Sequence, residues 1–167
     1  MELMIVVVII GIMTAMILPE MRGTYEDAIL RSTSRDLVNV FDLAASRAIT
    51  LNQMHRVRLD PTTGQYQVER RVRSGGAIDF VPVTDISGGA GTLDKRITIE
   101  VHQPDDVASE PVDALTPAPD LTEAISFYAD GTSDGALVTL QDRQGFRLGL
   151  KLNPITARVR IVEVEKQ

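Results

Sequence analysis

The amino terminus constrains the fold of this chain most strongly, because Leu3 to Leu18 form an uncharged apolar run in which Thr14 is the only hydroxyl. Such a run cannot lie on the surface of a soluble domain. As a helix rising about 1.5 Å per residue it would reach about 24 Å, slightly less than the hydrocarbon core of a bilayer. We therefore expect a membrane helix. The alternative is a cleaved secretory signal, which would need a basic segment before the run and a small-residue cleavage site after it; the sequence has neither.

Glu2 lies next to this run and is the only acid there. A carboxylate at the edge of an apolar helix loses solvation unless it is paired with a positive charge. Position alone leaves two interpretations open: Glu2 lies among lipid headgroups and needs no partner, or it pairs with a cation inside apolar surroundings.

The order Glu2-Leu3, an apolar run, Gly11 and then Pro19 resembles the amino-terminal helix of type IV pilins and type II secretion pseudopilins. The resemblance implies that Glu2 offsets the terminal amine of a neighbouring subunit during assembly, and that Pro19 kinks the helix. It also implies other pilins or pseudopilins as partners, and a single pass through the bacterial inner membrane with a periplasmic domain. The family's leader is not found before Glu2, so we expect the prepilin peptidase as a partner only if a leader is missing from this sequence.

A second helical pattern follows the apolar run. Between residues 20 and 55 the apolar positions recur with the three-four spacing of one helical face. These positions are Leu37, Val40, Phe41, Ala44, Ala48 and Leu51. We predict that residues 1–19 are the membrane half of one long helix, and that residues 20–55 are an amphipathic half packed on a sheet.

Beyond His55 the period changes to two, which is typical of half-buried strands, and we assign residues 56–167 to a β-rich domain. Val57 and Leu59 open a hairpin that turns at residues 60–64, and alternating strands are predicted near 97–101, 125–129, 136–140, 146–152 and 157–162. We expect an α+β, pilin-like fold whose strands are antiparallel. Residues 103–124, rich in proline and acids, are predicted to be a solvated excursion.

The segment 130–135, Asp-Gly-Thr-Ser-Asp-Gly, has part of the spacing of a calcium loop, but Gln141 stands where the loop needs its last acid. We therefore expect a hairpin turn joining 125–129 to 136–140. The stretch 125–140, followed by 153–160, resembles the carboxy-terminal half of H-type minor pseudopilins and their fimbrial relatives. That resemblance implies a structural minor subunit at the tip of a pseudopilus that supports protein secretion.

Composition and motifs point away from catalysis. The chain has no cysteine, and its two histidines, His55 and His102, lie in no recognisable acid-base or metal-binding setting, so we predict no enzyme activity, no metal and no cofactor.

The rival hypothesis is a minor type IV pilin of the competence type, which would bind DNA through a motif resembling Gly-Arg-x-Arg. The match here is Ala157-Arg158-Val159-Arg160. Arg158 and Arg160 would lie about 6.6 Å apart on one strand face, near enough to engage successive phosphates. The missing glycine and the net charge of -6 argue against this alternative, so nucleic acid is the less favoured partner.

Overall fold

The computed structural model describes residues 2–17, 20–74, 76–102 and 123–164. Helix α1 runs from Glu2–Ile17 and helix α2 from Glu20–Thr50. Among these residues, no helix combines the length and the apolar character needed to cross a membrane. Pro19, where we predicted a kink, lies outside the described residues.

Helix α2 packs one face against the sheets, as the three-four spacing predicted. The buried side chains on that face are Leu30, Leu37, Val40, Phe41, Ala44 and Ala48. Ser34 is also buried there, and its hydroxyl donates to the Leu30 carbonyl at 2.7 Å, so the polar group is satisfied within the helix.

The helix ends at Thr50, earlier than the predicted boundary at residue 55. Asn52 adopts a φ of 48°, the Gln53 N–H donates to the Ala48 carbonyl, and the Asn52 N–H donates to the Ile49 carbonyl. This is the Schellman arrangement, which satisfies the last free carbonyls of a helix and turns the chain away. Leu51, which we had placed on the buried face, is consequently exposed.

The strands form two antiparallel sheets. Among the described residues the first sheet is five-stranded and contains β1 (His55–Leu59), β2 (Gln65–Ser74), β3 (Ala77–Pro82), β4 (Ala90–Thr92) and β6 (Glu123–Phe127). The second sheet is four-stranded and contains β5 (Thr98–His102), β7 (Ala136–Gln141), β8 (Arg147–Leu152) and β9 (Val159–Glu163). The first is ordered β3-β2-β1-β6, with β4 also paired to β2, and the second is ordered β5-β7-β8-β9.

The core lies where α2 meets both sheets. Val57 and Leu59 of β1 and Leu150 of β8 are fully buried, because alternate side chains of each strand point towards the helix. At its centre Phe41 of α2 and Phe127 of β6 pack with their ring centroids 6.1 Å apart. The predicted α+β fold, with an amphipathic helix on antiparallel strands, is therefore confirmed.

The predicted hairpin between residues 125 and 140 is wrong in one respect. Strands β6 and β7 are consecutive, but β6 pairs with β1 in the first sheet and β7 pairs with β5 and β8 in the second. A bridge between Phe127 and Ser133, and a hydrogen bond from the Asp134 N–H to the Ser126 carbonyl at 2.9 Å, link the two ends of the connection. The segment thus carries the chain from the first sheet to the second.

Candidate assembly surface

Helix α1 presents an apolar surface with few protein contacts. Its side chains from Leu3 to Met13 are exposed, with Leu3 80% and Val6 50% accessible. The Thr14 hydroxyl donates to the Ile10 carbonyl at 2.7 Å, so this polar group is satisfied within the helix. At about 25 cal/mol per Å² of apolar area, covering such a surface is strongly favourable. Helix α1 is therefore the candidate surface for assembly.

Glu2 is the first residue of α1. The first turn of a helix carries unpaired N–H groups and the positive end of the helix dipole, which favour a carboxylate there. In sequence, Glu2 is the one acid of α1, and it stands in the first turn of that helix.

Helix α2 connects this surface to the β-rich domain and is held by polar contacts near both of its ends. Near its start, the Arg96 guanidinium lies 5.4 Å from the centroid of the Tyr25 ring. In its last turn, Arg47 Nη1 lies 3.1 Å from Asp85 Oδ2. The pKa of Asp85 is lowered by a hydrogen bond from its own backbone N–H and by Arg47. Each contact is partly exposed and of modest strength, so the buried apolar face does most of the anchoring.

The predicted nucleic-acid contacts lie at the second sheet. Arg158 and Arg160 are both exposed, but β9 begins at Val159, so only Arg160 lies within the strand. Arg160 is the cross-strand partner of Lys151, which is also exposed. Side chains of directly opposed residues share one face of a sheet, so Lys151 and Arg160 form a small cationic pair that sequence reasoning missed.

Ala157 occupies a backbone conformation that favours glycine, with a φ of 51°. It is buried, and its N–H donates to the Asn153 carbonyl at 2.9 Å, which closes the turn before β9. The alanine at the position of the motif's glycine therefore leaves the glycine-like turn in place.

The acids of the segment 130–135 are occupied by local hydrogen bonds. The Asp130 carboxylate accepts from the N–H of Thr132 at 3.0 Å and from its hydroxyl at 2.7 Å, and these bonds lower the pKa of Asp130. Asp134 accepts from the Ser126 N–H at 3.0 Å and from the Tyr128 hydroxyl at 2.9 Å. Both carboxylates thus accept hydrogen bonds that stabilise the turn. In the part of the chain that the structure describes, no three His, Cys, Asp or Glu side chains lie together as metal ligands would.

His55 is a fully buried part of the core. Its Nδ1 lies 2.8 Å from the Gln53 carbonyl, and among the described residues its Nε2 has no hydrogen-bond partner. The bond to a carbonyl requires a proton on Nδ1. His102 lies at the end of β5, in the other sheet. The structure does not bring the two histidines into one site.

The architecture defines a class of fold: an exposed apolar helix, followed in sequence by a helix that packs on antiparallel sheets, is pilin-like. No family model matches the sequence, and no curated protein matches it. Solved structures give the comparison instead.

The chain is similar to the minor pseudopilin EpsH of the Vibrio cholerae type 2 secretion system, with 14% identity and a TM-score of 0.56 over 86% of this chain and 99% of that one. It is also similar to Escherichia coli GspH, with 15% identity and a TM-score of 0.58 over 81% and 89% of the two chains. A third neighbour is the type IV minor pilin FimU of Pseudomonas aeruginosa, with 12% identity and a TM-score of 0.52 over 79% and 91%. At these identities the likeness shows the fold. The predicted resemblance to pilins and H-type minor pseudopilins is confirmed at that level, and these neighbours are not enzymes.

Proposed function

We propose that this chain is a structural minor pseudopilin, and not an enzyme, that assembles into the pseudopilus of a type II secretion system and supports protein export. Fold similarity to EpsH, described as a minor pseudopilin of such a system, supports the class. The observation that carries the proposal is the exposed apolar helix α1, joined in sequence to a helix that is packed into the domain.

In this proposal α1 lies in the inner membrane before assembly and among the helices of other pseudopilins afterwards, with the β-rich domain in the periplasm. Both environments cover the apolar side chains that the isolated chain exposes. Glu2 then neutralises a terminal amine of a neighbouring subunit, because a lone charge in such surroundings is costly. Pro19 bends the helix between its two halves. We place the subunit at the tip of the filament, following the resemblance of residues 125–160 to H-type subunits.

The experiment that tests this proposal compares Glu2→Ala with wild type in cells that make the other pseudopilins. We expect the variant to fold normally, with an unchanged thermal midpoint, and to enter the pseudopilus much less than wild type, measured by crosslinking to the other subunits. Glu20→Ala removes the same group at the start of α2 and serves as the matched control. Normal incorporation of Glu2→Ala would mean that Glu2 lies among the lipid headgroups and needs no partner.

A second candidate function is a minor type IV pilin that binds DNA. The observation in its favour is that Lys151 and Arg160 form a cationic pair beside Arg158, supported by the similarity to the fold of FimU. We expect DNA binding by the purified chain to be weak across a salt series, and Arg158→Ala/Arg160→Ala to change it little. Tight, salt-sensitive binding that the double variant abolishes would favour DNA uptake over secretion.

A further inference from the structure

The outward face of the first sheet carries a row of arginines that neither the core nor the proposed assembly helix uses. Strand pairing places Arg56 opposite Glu69 and Arg58 opposite Gln67. Because side chains alternate, Arg71 and Arg73 of β2 lie on the same face as Glu69, while Val57 and Val68 point into the core.

The register sets the order of these arginines along the strands. From one end to the other they are Arg58, Arg56, Arg71 and Arg73, because β1 and β2 are antiparallel. Each step covers two residues, or about 6.6 Å, and the row spans about 20 Å. We call these four residues the arginine row.

The arginine row already binds a carboxylate within the chain. Glu69 Oε2 lies 2.6 Å from Arg56 Nε, and Glu69 Oε1 lies 3.5 Å from Arg58 Nε, although the Glu69 side chain is only 5% exposed. Arg71 and Arg73 have no ion pair among the described residues. One half of the row is therefore occupied by an internal acid, and the other half offers guanidinium groups of the same kind to an external one.

Neighbouring contacts hold part of the row in place. The Arg56 guanidinium lies 3.6 Å from the centroid of the Phe80 ring, whose residue on β3 is the cross-strand partner of Arg71. Arg56 is therefore fixed between an aromatic face and a carboxylate. The covered ring face cannot stack on a nucleobase, which makes the row a poorer match to single-stranded nucleic acid.

We propose that the arginine row is a docking surface for an extended acidic segment of another protein, with carboxylates on alternate residues. In an extended segment, alternate side chains are about 6.6 Å apart and share one face, which matches the spacing of the row. Arg71 and Arg73 bind these carboxylates, and Arg58, which is 48% exposed at its side chain, extends the surface. This inference concerns the outward face of the domain and does not depend on the function proposed for α1.

The test measures binding of two synthetic peptides to the full chain in non-ionic detergent. One ten-residue peptide alternates glutamate with threonine, and the other has the same composition with its glutamates in one block. We expect the alternating peptide to bind at least fivefold more tightly than the block peptide at low salt. We also expect Arg71→Gln/Arg73→Gln to weaken that binding at least tenfold.

The matched control is Arg143→Gln/Arg147→Gln, which removes two exposed arginines from the β7–β8 turn and β8. It should alter binding by less than twofold, and both double variants should keep the thermal midpoint of wild type. Equal losses in the two double variants would mean that general charge, and not the row, binds the peptide, and would overturn the proposal. Absent binding, equal binding of both peptides, or tighter binding of a ten-nucleotide oligothymidylate would each overturn it as well.

Discussion

Replacement of Phe41 by alanine tests how firmly α2 is fixed to the β-rich domain. Phe41 is 1% exposed and packs on Phe127 with the rings tilted by 35°. Removing a buried phenylalanine ring costs about 3–5 kcal/mol, since the lost burial adds to the cavity left behind. For a chain of this size that corresponds to a fall in the thermal midpoint of roughly 6 to 20 °C.

The assay is thermal unfolding of the full chain in non-ionic detergent, followed by circular dichroism and by tyrosine fluorescence, because the chain has no tryptophan. The matched control is Phe146→Ala, since Phe146 is 57% exposed and its loss should cost about 0.5 kcal/mol or less. A Phe41→Ala midpoint that falls no further than that of Phe146→Ala would refute the central position of Phe41 in the core.

Three further outcomes are expected. Gly149→Ala should lower the free energy of unfolding in urea by about 1–3 kcal/mol, because the added Cβ would lie 2.9 Å from a methyl of Val162. In the control Gly11→Ala the added Cβ meets nothing within 4 Å, so the free energy of unfolding should not fall. The pKa of Asp60 is lowered by hydrogen bonds from Thr63 and Thr62. The ionised Asp60 carboxylate therefore stabilises the folded chain above the unfolded pKa of about 3.9, and this contribution is lost as the pH falls through the folded pKa. In Asp60→Asn the urea midpoint should fall less steeply below about pH 4 than in wild type. On cell fractionation the chain should require detergent for extraction, and its recovery as a monomer without detergent would contradict a membrane position for α1.

Helix α2 and most strands could be predicted because their burial follows local periodicity. The three-four spacing of Leu37, Phe41 and Ala44 fixes one face of a helix, and alternation around Val57 fixes one face of a strand. The apolar run of α1 could also be located from the sequence, because a long uncharged apolar stretch is recognised from its composition alone.

Pairing between distant strands could not be predicted in this way. Alternation shows which side of β6 and β7 faces the core, but not that the two strands belong to different sheets. Strand β4 lies in a glycine-rich stretch, and it pairs with β2 where Gly91 leaves room for the Tyr66 ring; a Cβ there would lie 2.6 Å from a ring carbon. The arginine row was missed for the same reason, because only the β1–β2 register brings Arg56 and Glu69 together.

The turn before β9 shows a further limit of prediction from the sequence. The missing glycine at position 157 counted against a Gly-Arg-x-Arg motif, yet Ala157 adopts the backbone angle that glycine would supply. An L-residue in this conformation costs about 1–2 kcal/mol, which surrounding contacts must offset. Its hydrogen bond to Asn153 and its burial are such contacts, and neither can be read from a single sequence.

The most direct test of the proposed assembly is single-cysteine crosslinking, which is clean here because the chain has no cysteine. Ile9→Cys places a thiol on the exposed surface of α1, and Ile155→Cys places one on a still more exposed site of the β-rich domain. With cysteine at matching positions in the other pseudopilins of the same system, we predict that Ile9→Cys crosslinks to their amino-terminal helices and that adding Glu2→Ala removes most of that product. Crosslinking from Ile9→Cys no stronger than from Ile155→Cys, and unchanged by Glu2→Ala, would contradict assembly through α1.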